Sequence, residues 1–175
     1  MREQIQPIER LGRRDPVARL PRPVPDEPGL VIVDATWGMI QPLQLPGGVR
    51  TIGELEVLDH IRADGVLVDC RQAEHVALGT LPGAVAIRHQ EVVAGLAALD
   101  AEGAIVLFCN GPQCTATPQA VAALLAAGWD SDQLRYFRGG IHDWVTLGLP
   151  LTHCRKPADR RGQIPDVAPP RAYDT

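Results

Sequence analysis

The chain has 175 residues, 45% of them hydrophobic and 22% charged, with a formal charge of −4 at pH 7, the profile of one globular domain able to bury a core. That balance speaks against a general nucleic-acid binder, and no apolar run approaches the roughly 20 residues of a membrane span. The opening MREQIQPIER has no apolar signal region, and the four cysteines (Cys70, Cys109, Cys114 and Cys154) are too scattered for a secreted disulfide framework, so a cytoplasmic setting with reduced thiols is expected.

Residues 1–28 carry six prolines and many charges, which break any long helix. They read as an irregular arm, with Ile5, Ile8 and Leu11 as a short apolar stripe that could dock elsewhere. Residues 29–153 read as one domain and 154–175 as a tail. Within the domain, LVIVDA (30–35) predicts a strand. IGELEVLDHIRADG (52–65) predicts a helix with Leu55, Leu58 and Ile61 on one face and a glycine stop. VLVDC (66–70) and AVAI (84–87) predict strands, and QEVVAGLAALDAEG (90–103) a helix despite Gly95. AIVLFC (104–109) is the strongest strand signal and PQAVAALLAAG (118–128) the strongest helix. LRYF (134–137) and IHDWVTLG (141–148) close the series as strand and helix. Short apolar strands alternating with helices predict an α/β fold, a mostly parallel sheet of about five strands with helices on both faces.

In such open sheets, sites lie beyond the carboxyl ends of the strands. Cys109 stands at one of those ends, and the following loop enters a helix whose first amides lack partners. Those amides and the helix dipole favour an anion, so a thiolate there should have a lowered pKa and be a better nucleophile. Gly111 lets the backbone bend inward, Pro112 stiffens the loop, and Thr117 before Pro118 suits an N-cap. A buried structural cysteine is the equally open alternative on this stretch alone.

Three blocks of the chain resemble rhodanese-like domains. LVDCRQAEHVALGTLPGAVAI (67–87) is similar to their Asp-x-Arg-x-x-Glu…Gly-His-Ile-Pro-Gly-Ala signature, VLFCNGPQC to their active-site loop, and YFRGGIHDWVTLGLPL (136–151) to their closing Gly-Gly…Trp…Gly-x-Pro stretch. The resemblance implies a sulfurtransferase of the thiosulfate type. Cys109 would take a sulfane sulfur as a persulfide and pass it to a thiophilic acceptor. The loop residues Asn110, Gly111, Pro112, Gln113, Cys114 and Thr115 would bind the donor. No metal or cofactor is implied, and the partners would be a small-molecule or protein sulfur donor and a thiol acceptor, with neither nucleic acid nor membrane. The terminal arms are candidates for homodimer contacts. The chain departs from the pattern in having no Arg or Lys between Cys109 and Pro118, a longer loop, and Cys114 inside it. A branch of the family with Cys-x-Gly-Pro-x-Cys loops is nearer to it than the thiosulfate enzymes.

Asp69, Arg71 and Glu74 flank the end of a strand. Arg71 could bind an anion, but an architectural Arg71–Glu74 pair is the preferred reading. Arg138 either points at the loop in place of the missing basic residue or is a solvated charge. Cys70 and Trp144 read as core, Cys154 as inert, and His89 and His142 have no assigned role. Cys114 either packs under the loop or bridges to Cys109. Zinc is disfavoured because no second Cys/His pair follows. Two other functions stay open: a phosphatase-like or oxyanion-reducing enzyme on the same fold, which would normally clamp its anion with an arginine, and a non-catalytic redox-sensing or binding module.

Overall fold

The computed structural model describes residues 40–99 and 103–154, together with Arg22–Pro23, Asp26 and Val31–Ile32. Two short strands, β1 (Arg22–Pro23) and β2 (Val31–Ile32), pair antiparallel with each other. The rest of the predicted 30–35 strand, most of the N-terminal arm and the tail beyond Cys154 lie outside the described residues.

The main sheet contains β3 (Arg50–Ile52), β4 (Val66–Asp69), β5 (Val85–Ala86), β6 (Ile105–Phe108) and β7 (Leu134–Phe137) in the order β3-β7-β6-β4-β5. Every pairing is parallel. β4 and β6 sit in the middle and are buried along their whole length, as continuous apolar runs covered on both faces must be. The strand at 30–35 was expected to belong to this sheet, but its described residues pair only with β1. Its place is taken by β3, which the sequence pattern does not flag, because only Ile52 of its three residues is buried.

Helices α1 (Glu54–Arg62) and α5 (Gly140–Thr146) cover one face, and α3 (Val92–Ala98) and α4 (Ala116–Ala126) the other. The one-turn α2 (Ala73–Val76) follows β4. In α1, Glu54 and Glu56 occupy the first turn and His60 and Arg62 the last, signs that complement the helix dipole. Its buried stripe is Val57 and Ile61, with Leu58 half-buried. Leu55, expected on that stripe, is 78% exposed, since a residue two positions before Val57 points to the opposite side of a 3.6-residue turn. Trp144 of α5 is fully buried, stacks edge-on against Phe137 at 6.5 Å, and donates its indole N–H to the Pro150 carbonyl at 2.9 Å. The five strands thus end together on one edge, where β6 releases the chain at Cys109.

Candidate active site: a two-cysteine loop at the tip of β6

The loop after β6 is stitched to the start of α5. The Cys109 carbonyl accepts the Ile141 N–H at 3.0 Å, and the Asn110 carbonyl accepts the His142 N–H at 2.8 Å. This approach requires glycines. Gly140 lies in the left-handed region at φ +57°, and a Cβ there would run into the Cys109 carbonyl oxygen. Gly111, at φ +150°, has room for no side chain either, since a Cβ would press on His142 Cβ at 2.8 Å. The chain then turns back through the Cys114 N–H, which donates to the Gly111 carbonyl at 2.9 Å. Helix α4 starts at Ala116 with Thr115 at its N-cap, two residues earlier than the sequence suggests. Thr117 is therefore not the cap but the second helical residue, and Pro118 is accommodated because first-turn amides need no partner within the helix.

This turn brings the two cysteines together. Cys109 is 2% exposed, and its Sγ lies 3.6 Å from the Cys114 carbonyl oxygen. Cys114 is half-buried, and its thiol is close enough to Cys109 that each shifts the other's ionisation. They titrate as a pair. The Cys114 thiol is drawn down to about 6 by the adjacent Cys109 thiol and by the Ala116 and Asn110 amides. Burial holds the Cys109 thiol well up, helped by the neighbouring Cys114. This corrects the expectation that loop amides would lower Cys109 itself: desolvation outweighs them there, and the Asn110 and Ala116 amides face Cys114. Only Thr117, through its N–H and hydroxyl, favours charge on Cys109. Alkylation of Cys114 by iodoacetamide should accelerate as pH rises through about 6, because the reactive thiolate accumulates above that midpoint. Peptide mapping of samples quenched between pH 5 and 9 checks this, and a midpoint above 8 would remove the shared charge.

The polar surroundings of the pair are unsaturated. Of five buried side-chain polar atoms without a well-formed hydrogen bond among the described residues, Asn110 Oδ1, Thr117 Oγ1 and Tyr136 OH belong to this region. Thr117 is fully buried, and it favours the charged form of both the Cys109 and Cys70 thiols. Burial and the two loop thiols hold the Tyr136 phenol protonated. Sequence patterning marks Tyr136 only as a strand residue; that its hydroxyl faces the loop depends on the β6–β7 register, which sets Leu107 beside Tyr136.

Arg138 is half-buried just past the end of β7. Its Nε and Nη2 donate to the Gln41 carbonyl at 3.1 and 3.0 Å, while the Gln41 N–H donates to the Pro112 carbonyl at 2.7 Å. The guanidinium therefore clamps a segment that caps the loop. Of the other loop residues, Thr115 is exposed and Pro112 and Gln113 are half-buried. His142 Nδ1 lies 2.8 Å from Asp143 Oδ1, beside Gly111.

Asp69, Arg71 and Glu74 do not act together. Arg71 turns back two residues and grips Asp69 through Nε and Nη2, the shortest contact being 2.7 Å, with both side chains essentially unexposed. Thr80 Oγ1 donates to the same carboxylate at 2.6 Å, and Arg71 Nη2 also donates to the Gly79 carbonyl at 2.6 Å. Glu74 is exposed on α2, so the Arg71–Glu74 pair is not formed. The architectural role holds with a different partner: the carboxylate one step before Cys70 is already buried and can satisfy the buried guanidinium. Cys70 is a core residue whose thiol is pushed up by burial. Half-buried Cys154, held 3.5 Å from the Ala84 carbonyl, is also shifted up by burial. Among the described residues, no three His, Cys, Asp or Glu side chains converge as metal ligands would, and no helix is long and apolar enough to cross a membrane.

Comparison with known proteins agrees with this architecture. The HTH-type transcriptional regulator Rv0324 of Mycobacterium tuberculosis is 35% identical over 85 residues, 49% of this chain and 36% of the regulator. The chain thus spans only about a third of that curated relative's length. Among solved structures, the BH2092 protein from Bacillus halodurans superposes with a TM-score of 0.53 at 22% identity, over 60% of this chain and 77% of that one. A thiosulfate sulfurtransferase from Pseudomonas aeruginosa gives 0.51 at 22% identity, over 61% of this chain and 21% of that one. These likenesses are of fold. The family itself is shown by the sequence: residues 54–147, which run from α1 through the cysteine loop to the end of α5, match the Rhodanese-like domain, and the chain belongs to that family.

Proposed function

We propose that the chain is a sulfurtransferase in which Cys109 accepts a sulfane sulfur. The observation that carries the reading is a nearly buried cysteine at a strand tip, its Sγ 3.6 Å from the carbonyl of a second loop cysteine, within a rhodanese-like domain. The two neighbouring thiols share one negative charge, which Thr117 favours on Cys109. The Cys109 thiolate attacks the outer sulfur of a donor such as thiosulfate. The donor's S–S bond breaks, sulfite leaves with the electron pair, and a Cys109 persulfide remains. A thiophilic acceptor then attacks the terminal sulfur and returns Cys109 as the thiolate. Asn110, Gly111, Pro112, Gln113 and Thr115 form the wall past which donor and acceptor reach the sulfur. The donor and acceptor are small molecules or proteins, and the setting is a reduced, cytoplasmic one.

The same residues argue against a phosphatase-like enzyme. No Arg or Lys stands between Cys109 and Pro118, and the nearby Arg138 fork is bound to Gln41, which leaves no bidentate clamp for a tetrahedral oxyanion. Thiosulfate itself should be a weak donor. One absent charge-assisted contact to a dianion is worth roughly 1.5–3 kcal/mol, or about one to two decades in affinity. Thiosulfate:cyanide transfer measured beside aryl phosphate hydrolysis is the test. Slow but saturable thiocyanate formation with a raised KM is expected; phosphate release without thiocyanate would reverse the assignment.

A further inference from the structure

Cys114 is left over by a transfer cycle that needs only one sulfur, yet it is placed against Cys109. The Gly111–Cys114 turn folds the loop back on itself, so that the Cys109 Sγ meets the Cys114 carbonyl at 3.6 Å. Of the other two cysteines, Cys70 sits in the core behind Thr117 and Cys154 rests on the Ala84 carbonyl. Cys109 is nearly buried, whereas Cys114 is half-exposed and its thiol is drawn down to about 6, so that the attacking thiolate is available at neutral pH.

We propose that Cys114 is a second catalytic thiol, which attacks the inner sulfur of the Cys109 persulfide and releases sulfide. The inference rests on the persulfide reading above. Written out, the Cys114 thiolate forms a bond to Cys109 Sγ. The bond from Cys109 Sγ to the outer sulfur breaks. That sulfur takes the electron pair, keeps its proton and leaves as HS−. The product is a Cys109–Cys114 disulfide. Cys109 and Cys114 have each given up one electron, and the sulfane sulfur has taken both. An external dithiol reductant then returns both thiols by exchange and is itself oxidised to a disulfide. The chain would thereby convert sulfane sulfur and a dithiol into free sulfide, with its own loop as the first acceptor. The same bridge keeps Cys109 from being driven to higher oxides.

The test is a single loading under anaerobic conditions without reductant. The full chain is incubated with excess thiosulfate, whose leaving group is sulfite, so that any HS− must come from the persulfide. Sulfide is quantified, and the protein is alkylated and its intact mass measured. Wild type is expected to release one sulfide per chain and to become two hydrogens lighter, with Cys109 and Cys114 no longer alkylatable. Cys114→Ser, with Cys114→Ala as a second variant and melting curves confirming the fold, is expected to release no sulfide and to hold one extra sulfur on Cys109. A wild type that keeps a stable extra sulfur while Cys114 remains alkylatable overturns the proposal and leaves the sulfur-transfer reading intact. Failure of wild type and both variants to take up sulfur overturns that reading, and the proposal with it.

Discussion

With Cys109 as the proposed nucleophile, its replacement by serine should lower sulfur transfer at least about a thousandfold, since removal of a covalent nucleophile commonly costs more than three decades in rate. A hydroxyl at this position is far less acidic and cannot form the persulfide. The fold should survive. Cys109 points out of the sheet end into the loop rather than into either apolar cluster, and serine can donate to the Cys114 carbonyl that the thiol now approaches. The expected stability change is about 1 kcal/mol, a shift of several degrees in melting temperature. Thiocyanate formation with a parallel melting curve reads both. Substantial activity in a folded Cys109→Ser chain would transfer the nucleophilic role to Cys114, the more readily ionised thiol of the pair.

The largest stability effect is expected at Asp69. Its carboxylate is fully buried and accepts from the Arg71 backbone N–H, from Arg71 Nε and Nη2, and from Thr80 Oγ1. Asp69→Ala leaves the Arg71 guanidinium, 2% exposed, with only the Gly79 carbonyl among these contacts. An uncompensated buried charge costs roughly 3–5 kcal/mol, enough to lower the melting temperature by about 10–20 °C in a domain of this size. Replacing the pair together, Asp69→Leu with Arg71→Met, should recover most of that loss, because apolar side chains need no partner. Urea unfolding of the two variants separates the contributions. An Asp69→Ala chain as stable as wild type would show that the pair does not hold this corner. The corner lies directly beneath the site: the Cys70 N–H donates to the Phe108 carbonyl at 2.9 Å and the Ile87 N–H to the Asp69 carbonyl at 3.1 Å, so loss of order here should also reach the loop.

The legible part of this protein is what short-range chemistry determines. The mainly apolar runs at 66–70, 104–109 and 134–137 became three adjacent strands, because such runs are stable where both faces of a sheet are covered. The small and aliphatic run after the loop became α4, and Cys109 fell at a strand tip facing it. Residue order alone also carries the family, through blocks separated in sequence but adjacent in space. What the tertiary structure decided is who meets whom. Edge strand β3 has too few buried residues to announce itself, and it pairs with β7 across more than eighty positions of chain. Arg71 takes Asp69 rather than Glu74 because the end of β4 is buried and the start of α2 is not. Arg138 is spent on Gln41, a residue 97 positions away. The charge of the site follows the same logic. Local amides argue for a thiolate at Cys109, but the depth of burial, set by both sheet faces and by the Gly139–Gly140 contact, makes ionisation there costly and moves it toward Cys114. Backbone propensity acts over a few residues, whereas desolvation and hydrogen-bond partnership depend on every segment that closes over the atom.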